Sequence, residues 1–288
     1  MVLKQKTYEV NGVSLHTYEA GTPGKPIILF LHGFPEIGQA WYRQLDFFAD
    51  QGFHAVAPDQ RGYNQSSKPP GVKAYTLKQL TADIAALIRQ FTTGKVYLAG
   101  HDWGGAVAWD IALHYPELIQ KLIILNMPHP VIMHEHLLRN PKQRRRSLYA
   151  GFFQLPLLPE LLCRAFNYKS LENSMVKTAL PNTFSSEQIA LYKTAWQQPG
   201  ALTAMLNWYR AYKYNPVTTT SPITIPTLLI WGKKDTFLKA EMAQPSINKC
   251  QQGQLKFIED ATHWLHHEKP DLVNQLILEF IQSSGKSI

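Results

Sequence analysis

Residues 96–105 read Val-Tyr-Leu-Ala-Gly-His-Asp-Trp-Gly-Gly, and this stretch decides the fold. An apolar run of strand length passes straight into the start of a helix, with glycines on both sides of an aspartate. Glycine at positions 100 and 104 is what a sharp strand-to-helix turn requires, because side chains there would clash when the residue at the tip is strained. The stretch therefore predicts a strand, a tight turn with Asp102 at its tip, and a helix.

Asp102 is a candidate nucleophile. An aspartate has an unperturbed pKa of about 3.9, so it is ionised at neutral pH without help. The helix start behind it adds backbone N–H groups that attract an anion. The alternative is that Asp102 only caps the helix, since aspartate is a favoured N-cap residue; the glycines on both sides favour the nucleophile.

On both sides of this motif, apolar runs of strand length alternate with amphipathic stretches of helix length. A hairpin is expected across Asn11-Gly12, the strongest short turn signal. Further strands are expected at 27–31, 53–57, 96–99, 122–126, 227–231 and 255–258, and helices at 38–50, 77–91, 104–114, 239–250 and 270–282. This alternation predicts an α/β fold with a mostly parallel central sheet flanked by helices.

The alternation stops between residues 129 and 215, where prolines, aromatic residues and helical segments replace it. We interpret this segment as a helical cap inserted into a core formed by residues 1–128 and 216–288. Inserts after the carboxyl end of a strand commonly form lids, because ligands bind at that edge of such sheets. A small helical domain with its own core is the alternative.

The composition is that of an ordinary globular chain. Its 288 residues are 45% hydrophobic and 17% charged, which excludes disordered and collagen-like proteins. Cys163 and Cys250 are too few for a disulfide framework or a zinc site, and they fit a reducing compartment. No signal-peptide core is present, and the longest apolar run, 27–31, is far shorter than the roughly 20 residues of a membrane span. We therefore expect a cytoplasmic protein without a membrane span.

The net charge of +8 raises the question of an anionic partner. Only the basic run, Lys142 together with the three arginines at 144–146, concentrates positive charge. No aromatic residues interleave with this run and no nucleic-acid motif accompanies it. We therefore interpret the run as the solvated surface of one helix and expect no nucleic-acid partner. Polyanion binding is the alternative.

Four motifs in order give the chain its resemblance to a known family. They are His-Gly-Phe-Pro-Glu at 32–36, Arg-Gly-Tyr at 61–63 followed by Ser-Ser at 66–67, Gly-His-Asp-Trp-Gly-Gly at 100–105, and Asp-Ala-Thr-His-Trp at 260–264. From about Tyr8 to Ile281 the chain resembles an α/β-hydrolase of the epoxide hydrolase type. Asn64-Gln65 departs from the usual Gly-Asp or Gly-Glu, and we expect it to alter a loop and not the chemistry.

An aspartate nucleophile selects the reaction. A carboxylate that attacks an sp³ carbon displaces a leaving group and leaves an alkyl ester on the protein, whereas a serine would form an acyl-enzyme from an ester substrate. Esterase and lipase activities are therefore disfavoured. Cleavage of the alkyl ester by water then requires a general base and a site for the oxyanion.

The fold supplies its triad in the order nucleophile, acid, histidine. The resemblance implies His263 as the base, in preference to the neighbouring His266 and His267. Asp235, which follows the strand at 227–231, is the expected acid. Some relatives place the acid after the preceding strand, but Asn126 stands there and cannot serve as a carboxylate.

The resemblance also implies the groups that stabilise negative charge. The backbone amides of Phe34 and Trp103 are expected to form the oxyanion hole. Two cap tyrosines, Tyr149 and Tyr209, are expected to donate to the epoxide oxygen, since a tyrosine with a pKa near 10 is a neutral donor at pH 7.

Five aromatic side chains are expected to line an apolar pocket: Phe34, Trp103, Phe152, Phe153 and Trp208. The expected substrate is a small apolar epoxide, which would be converted to a vicinal diol, a reaction that would suit detoxification. Water is the only other reactant, so we expect no cofactor and no metal. The oligomeric state is expected to be a monomer or a homodimer.

Two other functions remain open. A haloalkane or haloacid dehalogenase would use the same triad. Trp103 suits the haloalkane enzymes, but Phe34 cannot supply the second side-chain donor that they typically have, and Trp103 replaces the arginine usual in fluoroacetate dehalogenases. A non-catalytic α/β-hydrolase that only binds ligands is the other alternative, although an intact triad argues against it.

Overall fold

The computed structural model describes residues 3–215 and 221–283, which contain an eight-stranded sheet. Its strands are β1 (Lys4–Val10), β2 (Val13–Ala20), β3 (Ile27–Leu31), β4 (His54–Pro58), β5 (Val96–His101), β6 (Ile119–Leu125), β7 (Thr227–Gly232) and β8 (Gly253–Ile258). Their spatial order is β1-β2-β4-β3-β5-β6-β7-β8. Strand β2 runs opposite to the other seven strands, so its pairs with β1 and β4 are antiparallel. The expected Asn11-Gly12 hairpin reverses the chain after β1. The predicted mostly parallel sheet is confirmed.

Twelve α-helices lie within the described residues. They are α1 (Tyr42–Asp50), α2 (Leu77–Phe91), α3 (Trp103–His114), α4 (Pro130–Arg139), α5 (Pro141–Arg146), α6 (Leu148–Phe152), α7 (Leu158–Val176), α8 (Ser186–Trp196), α9 (Ala201–Ala211), α10 (Ala243–Ile247), α11 (Leu265–Glu268) and α12 (Pro270–Gln282). The prediction of a helix over 239–250 was too long. The chain leaves α10 after Ile247 because Cys250 pairs with Ile223 in an isolated β-bridge.

The sheet is buried on both faces. In β3, Ile27, Leu29 and Leu31 belong to a core shared with α2, α3 and the helices that precede β7. Ile28 and Phe30 belong to a second core, shared with α1 and α12. Because successive side chains point to opposite faces, a strand buried on both faces reads as a continuous apolar run.

Helices α4 to α9 lie between β6 and β7 in the chain. Two indole groups fix them to the loops that follow the parallel strands. Trp196 of α8 donates to the carbonyl oxygen of Pro35 at 2.6 Å, and Trp208 of α9 donates to that of Arg61 at 3.0 Å. Since Pro35 follows β3 and Arg61 follows β4, the inserted helices cover the carboxyl edge of the sheet.

The predicted division at residues 129 and 215 stays a prediction, and the junction at 216–220 lies outside the described residues. The basic run falls on α5. None of the helices in the described part of the chain is both long and apolar enough to cross a bilayer.

Candidate active site

Asp102 stands at the tip of the turn between β5 and α3. Its backbone has φ 49° and ψ −123°, a conformation that a non-glycine residue adopts only under strain. A Cβ on Gly100 would lie 2.4 Å from the carbonyl oxygen of Gly104, and a Cβ on Gly104 would lie 2.2 Å from that of Leu31. The neighbouring backbone therefore requires both glycines and holds the aspartate above the sheet.

The three predicted triad residues meet at the carboxyl edge of the sheet. His263, in the loop after β8, places Nε2 3.6 Å from Oδ2 of Asp102. Its Nδ1 lies 2.8 Å from Oδ2 of Asp235, which follows β7. The other oxygen of Asp235 accepts hydrogen bonds from the backbone N–H groups of Phe237 and Leu238 at 2.7 and 2.9 Å. The acid is thereby fixed in place, and it orients the histidine.

The charges of this site favour a protonated histidine. Burial lowers the pKa of His263, but the negative charge of Asp235 and its hydrogen bond, followed by the charges of Asp102 and Glu36, raise the pKa to about 9. Burial raises the pKa of Asp235, and the facing His263 outweighs this effect and lowers it. Both pKa shifts favour an ion pair between a protonated His263 and the Asp235 carboxylate.

Asn126 has a structural role that the sequence did not reveal. Its side-chain N–H donates to Oδ2 of Asp235 at 2.6 Å and to the carbonyl oxygen of Thr262 at 3.2 Å. Its side-chain oxygen accepts from the backbone N–H of Gly232 at 2.8 Å. Asn126 therefore connects the ends of β6, β7 and the loop of the base. A polar residue directly after a buried strand was the available signal.

A buried cluster around Glu36 contacts the loop of His263, and the sequence did not predict it. His101 lies between Glu36 and His263, with Nδ1 3.2 Å from Glu36 Oε2 and Nε2 2.8 Å from the carbonyl oxygen of His263. Burial raises the pKa of Glu36, but the facing His266 and His267 lower it well below its usual value. The Glu36 carboxylate therefore stays ionised beside the loop of the base.

Glu36, His266 and His267 bring potential metal ligands within 4.8 Å of one another. Oε1 of Glu36 lies 2.5 Å from Nε2 of His267. Two ligands each about 2.0–2.1 Å from a tetrahedral zinc lie more than about 3 Å apart. The contact is therefore a hydrogen bond between the two side chains, not the spacing of a metal site.

The two amides expected for the oxyanion hole lie on either side of Asp102. The backbone N–H of Phe34 donates to Oδ1 of Asp102 at 3.0 Å. Trp103 is the first residue of α3, where backbone N–H groups have no partner within the helix. The amide of Phe34 belongs to the loop after β3, and that of Trp103 to the start of the helix after β5.

Tyr149 and Tyr209 come together from α6 and α9. Their ring centroids are 5.8 Å apart, and the ring of Tyr209 lies 5.1 Å from that of Trp103. Burial and the charge of Asp102 raise the pKa of Tyr149, although a hydrogen bond with Tyr209 opposes this. Burial, Tyr149 and Asp102 raise the pKa of Tyr209 well above its usual value. Both phenols therefore stay protonated at neutral pH.

A cavity of about 870 Å³ opens onto these groups. Asp102, Trp103, Tyr149 and Tyr209 contact it, and its wall also contains the apolar side chains Ala106, Leu113, Met127, Val131, Met133 and Leu238. An apolar cavity with a few polar groups is typical of a small-molecule site.

Four of the five aromatic residues expected to line the pocket lie outside the wall that the described residues form; only Trp103 is part of it. Phe34 packs against Phe153 with ring centroids 5.7 Å apart, and Phe152 packs on Phe153 at 6.1 Å. Trp208 packs against Trp103 at 5.8 Å. These rings pack beside Trp103 and Tyr209, and their part in substrate binding stays a prediction.

Comparison with known proteins identifies the family of the chain. A family model described as α/β-hydrolase fold matches residues 26–270. The AB hydrolase superfamily protein YfhM of Bacillus subtilis is 44% identical, over 98% of this chain and 99% of its own. Epoxide hydrolase 4 of Mus musculus is 38% identical, over 96% of this chain and 78% of its own.

A solved structure has the same fold. The crystal structure of an epoxide hydrolase from Bacillus megaterium with an inhibitor matches with a TM-score of 0.88 at 31% identity, covering 96% of this chain and 100% of that chain. A mutant of the same enzyme was solved with its product, a naphthyloxy-propane-1,2-diol. The chain belongs to the α/β-hydrolase family, and within that family it is of the epoxide hydrolase type.

Proposed function

We propose that the protein converts apolar epoxides and water to vicinal diols through an ester on Asp102. The observation that carries this proposal is the pair of tyrosines, Tyr149 and Tyr209, on the wall of the cavity that contains the nucleophile. An epoxide opens to an alkoxide, a poor leaving group that needs a donor, whereas a halide does not. The diol bound by the Bacillus megaterium relative supports the same reaction class.

In the first step, a carboxylate oxygen of Asp102 attacks an oxirane carbon and the C–O bond on that carbon breaks. The electron pair of this bond goes to the oxirane oxygen, which takes a proton from Tyr149 or Tyr209. The enzyme is left with a hydroxyalkyl ester and a tyrosinate, which regains its proton in the next step. Burial in an apolar cavity strengthens the hydrogen bonds to the developing alkoxide.

Ester formation prepares the second step. It removes the negative charge of Asp102, which is one cause of the raised pKa of His263, so that pKa falls and the imidazolium releases its proton, which solvent carries to the tyrosinate. Neutral His263 then takes a proton from water as the water oxygen bonds to the carboxyl carbon of Asp102. The oxyanion forms where the backbone N–H of Phe34 lies 3.0 Å from Oδ1. Its collapse breaks the bond between the carboxyl carbon and the alkyl oxygen. That oxygen takes the proton of the tetrahedral hydroxyl, so the diol leaves and the carboxylate is restored.

One specific observation favours dehalogenation as a second candidate. Trp103 lines the cavity directly after Asp102, where an indole N–H could solvate a halide. The same triad would serve both reactions, so the leaving group must be identified by experiment.

The test is intact-protein mass spectrometry of His263→Gln, which should form the ester and fail to hydrolyse it. Separate samples are exposed to styrene oxide, bromobutane and fluoroacetate, with Asp102→Ala/His263→Gln as the matched control. A mass gain of the whole epoxide, localised to Asp102 and absent from the control, is expected. A gain of the alkyl group alone, found only with a halide, would establish dehalogenation, and no adduct with any probe would contradict both reactions.

The oxygen atom supplied by water gives a second readout. In a single turnover of the wild-type enzyme in heavy-oxygen water, the label is expected in the Asp102 carboxylate and not in the diol. Label found in the diol after one turnover would show direct attack of water on the epoxide.

A further inference from the structure

Exposed apolar side chains concentrate in one short segment of the inserted helices. Of the thirteen large apolar side chains exposed in the described part of the chain, six lie between residues 155 and 166. We call these six the leucine surface: Leu155, Leu157, Leu158, Leu161, Leu162 and Phe166. Phe166 is 91% exposed and Leu157 is 74% exposed. Contiguous exposed apolar residues mark an interaction surface more often than single ones do.

The structure holds this segment firmly against α9. Arg210 donates to the carbonyl oxygens of Phe153 and Leu155 at 2.9 and 2.7 Å, and its guanidinium pairs with the carboxylate of Glu160 at 2.7 Å. Leu157 has φ 60°, a left-handed backbone that leucine rarely adopts. These leucines are therefore exposed on a segment that hydrogen bonds and an ion pair hold in place.

Basic residues adjoin the leucine surface in the chain. Residues 138–166 contain six lysine or arginine side chains, and their one acidic side chain, Glu160, is paired with Arg210. Lys142, Arg144 and Arg145 of α5 are exposed, and none of them forms an ion pair with any residue that the structure describes. These three residues of the basic run, which the proposed reaction does not use, thus keep their charge free for a partner, whereas Arg146 donates to the carbonyl oxygen of Asp235 at 2.9 Å.

The combination of charge and apolar surface selects the partner. In a symmetric dimer the same patch meets its own copy, so the basic residues of two chains would repel each other. A basic surface with exposed leucine and phenylalanine instead matches an anionic bilayer, which attracts the charges and accepts the apolar side chains. We propose that the leucine surface and the basic run dock the protein on anionic phospholipid membranes, at the surface and without a spanning segment.

The position of the cavity gives this docking a consequence. Gly151 and Gln154 are exposed and line the cavity, and Gln154 directly precedes Leu155. Gln154 also donates to the carbonyl oxygen of Tyr209 at 2.9 Å, which connects this rim to α9. A docked protein would therefore hold the cavity rim against the bilayer, where apolar molecules concentrate. This consequence rests on the proposed function, whereas the docking does not.

The experiment is co-sedimentation of the full chain with large vesicles. Vesicles of phosphatidylcholine alone are compared with vesicles that also contain phosphatidylglycerol, at low and high salt. Two variants test the surface, Arg144→Gln/Arg145→Gln and Leu157→Ser/Leu161→Ser. Their matched controls, Lys25→Gln/Lys256→Gln and Leu191→Ser/Leu272→Ser, change exposed residues elsewhere. Thermal unfolding monitored by circular dichroism verifies that each variant is folded.

The expected result is binding to the vesicles that contain phosphatidylglycerol, weakened by salt because salt screens exposed charges. Each surface variant is expected to lose affinity on the order of tenfold or more, while the controls bind as the wild type does. No binding by the wild type, or equal losses in the controls, would overturn the proposal.

Two further outcomes would also overturn it. Loss of binding in the arginine variant alone would assign the basic run to polyanions in general and leave the leucine surface without this role. A wild-type dimer in analytical ultracentrifugation that Leu157→Ser/Leu161→Ser dissociates would show that a second copy covers the surface.

Discussion

The sheet edge and the inserted helices hold their functional side chains by different means. At the sheet edge, Asp102, Asp235 and His263 stand in loops directly after β5, β7 and β8, and these strands belong to one hydrogen-bonded sheet. In the inserted helices, Tyr149 and Tyr209 come from α6 and α9, and side-chain hydrogen bonds connect the two helices. Gln154 and Arg210 make those bonds, to the carbonyl oxygens of Tyr209, Phe153 and Leu155.

This difference separates two chemical tasks. The sheet edge holds the groups that form and cleave the ester, where an error of about 1 Å is costly. The inserted helices hold the donors for the leaving group, which must match a particular substrate. Changes in the inserted helices should therefore alter which leaving group is expelled, and changes at the sheet edge should affect every substrate.

The largest effect is expected from Asp102→Ala, which removes the nucleophile of the sheet edge. Turnover of every epoxide and halide should fall by at least about 10⁴-fold, or about 5 kcal/mol, because the oxyanion site cannot replace a covalent step. Steady-state rates with styrene oxide measure this loss, and Asp50→Ala, on an exposed residue at the end of α1, is the control. Activity within tenfold of the wild type would exclude the ester on Asp102.

The next effect concerns the charges of the sheet edge. Because the pKa of His263 is raised to about 9 in the folded protein, its protonation stabilises the fold fully below pH 6.5, its unfolded value. This contribution, up to about 3 kcal/mol, should disappear as the pH rises through about 9. Urea unfolding of the wild type and of His263→Gln over this pH range measures it. A difference between the two proteins that does not change with pH would contradict the predicted imidazolium.

The inserted helices are tested by Tyr149→Phe/Tyr209→Phe. Loss of a donor to a developing oxyanion costs about 10²-fold or more, so ester formation from styrene oxide should slow by at least that factor. The fold and any reaction with bromobutane should stay unchanged. Tyr212→Phe, on another tyrosine of the cavity wall, is the control. Equal losses for epoxide and halide would remove the distinction between the two regions.

The sequence predicted the sheet edge better than the inserted helices, for a physical reason. A turn that requires glycine leaves a local pattern in the sequence. For this reason β5, the turn at Asp102 and α3 were expected where the structure has them. Contacts between distant segments leave no such pattern. Phe152, Phe153 and Trp208 were expected to line the pocket because they are aromatic. Their rings pack on other rings, a contact that the sequence could not show, and the expected role stays a prediction.

The sequence also did not predict the contacts of the buried polar residues behind the site. His266 and His267 were considered only as alternatives to His263 for the base. In the structure they lie on α11 and face Glu36, which lies in the loop after β3. A sequence shows that such residues exist and does not show which of them share a buried space.

The smallest effect is expected from Asn126→Ala, which separates ester formation from ester hydrolysis at the sheet edge. The variant removes the donor to Asp235 Oδ2 and leaves the backbone N–H of Gly232 without its partner, so the unfolding free energy should fall by about 1–3 kcal/mol. The hydrogen bonds of the Asn126 side chain go to Asp235, Thr262 and Gly232 and not to Asp102, so ester formation should change little. Hydrolysis should slow by about tenfold, because Asp235 orients the base that acts only in that step. Rapid-quench mass spectrometry should therefore show the ester accumulating in this variant and not in Asn248→Ala, an exposed control. Equal slowing of both steps would mean that Asn126 positions the whole edge and not the acid alone.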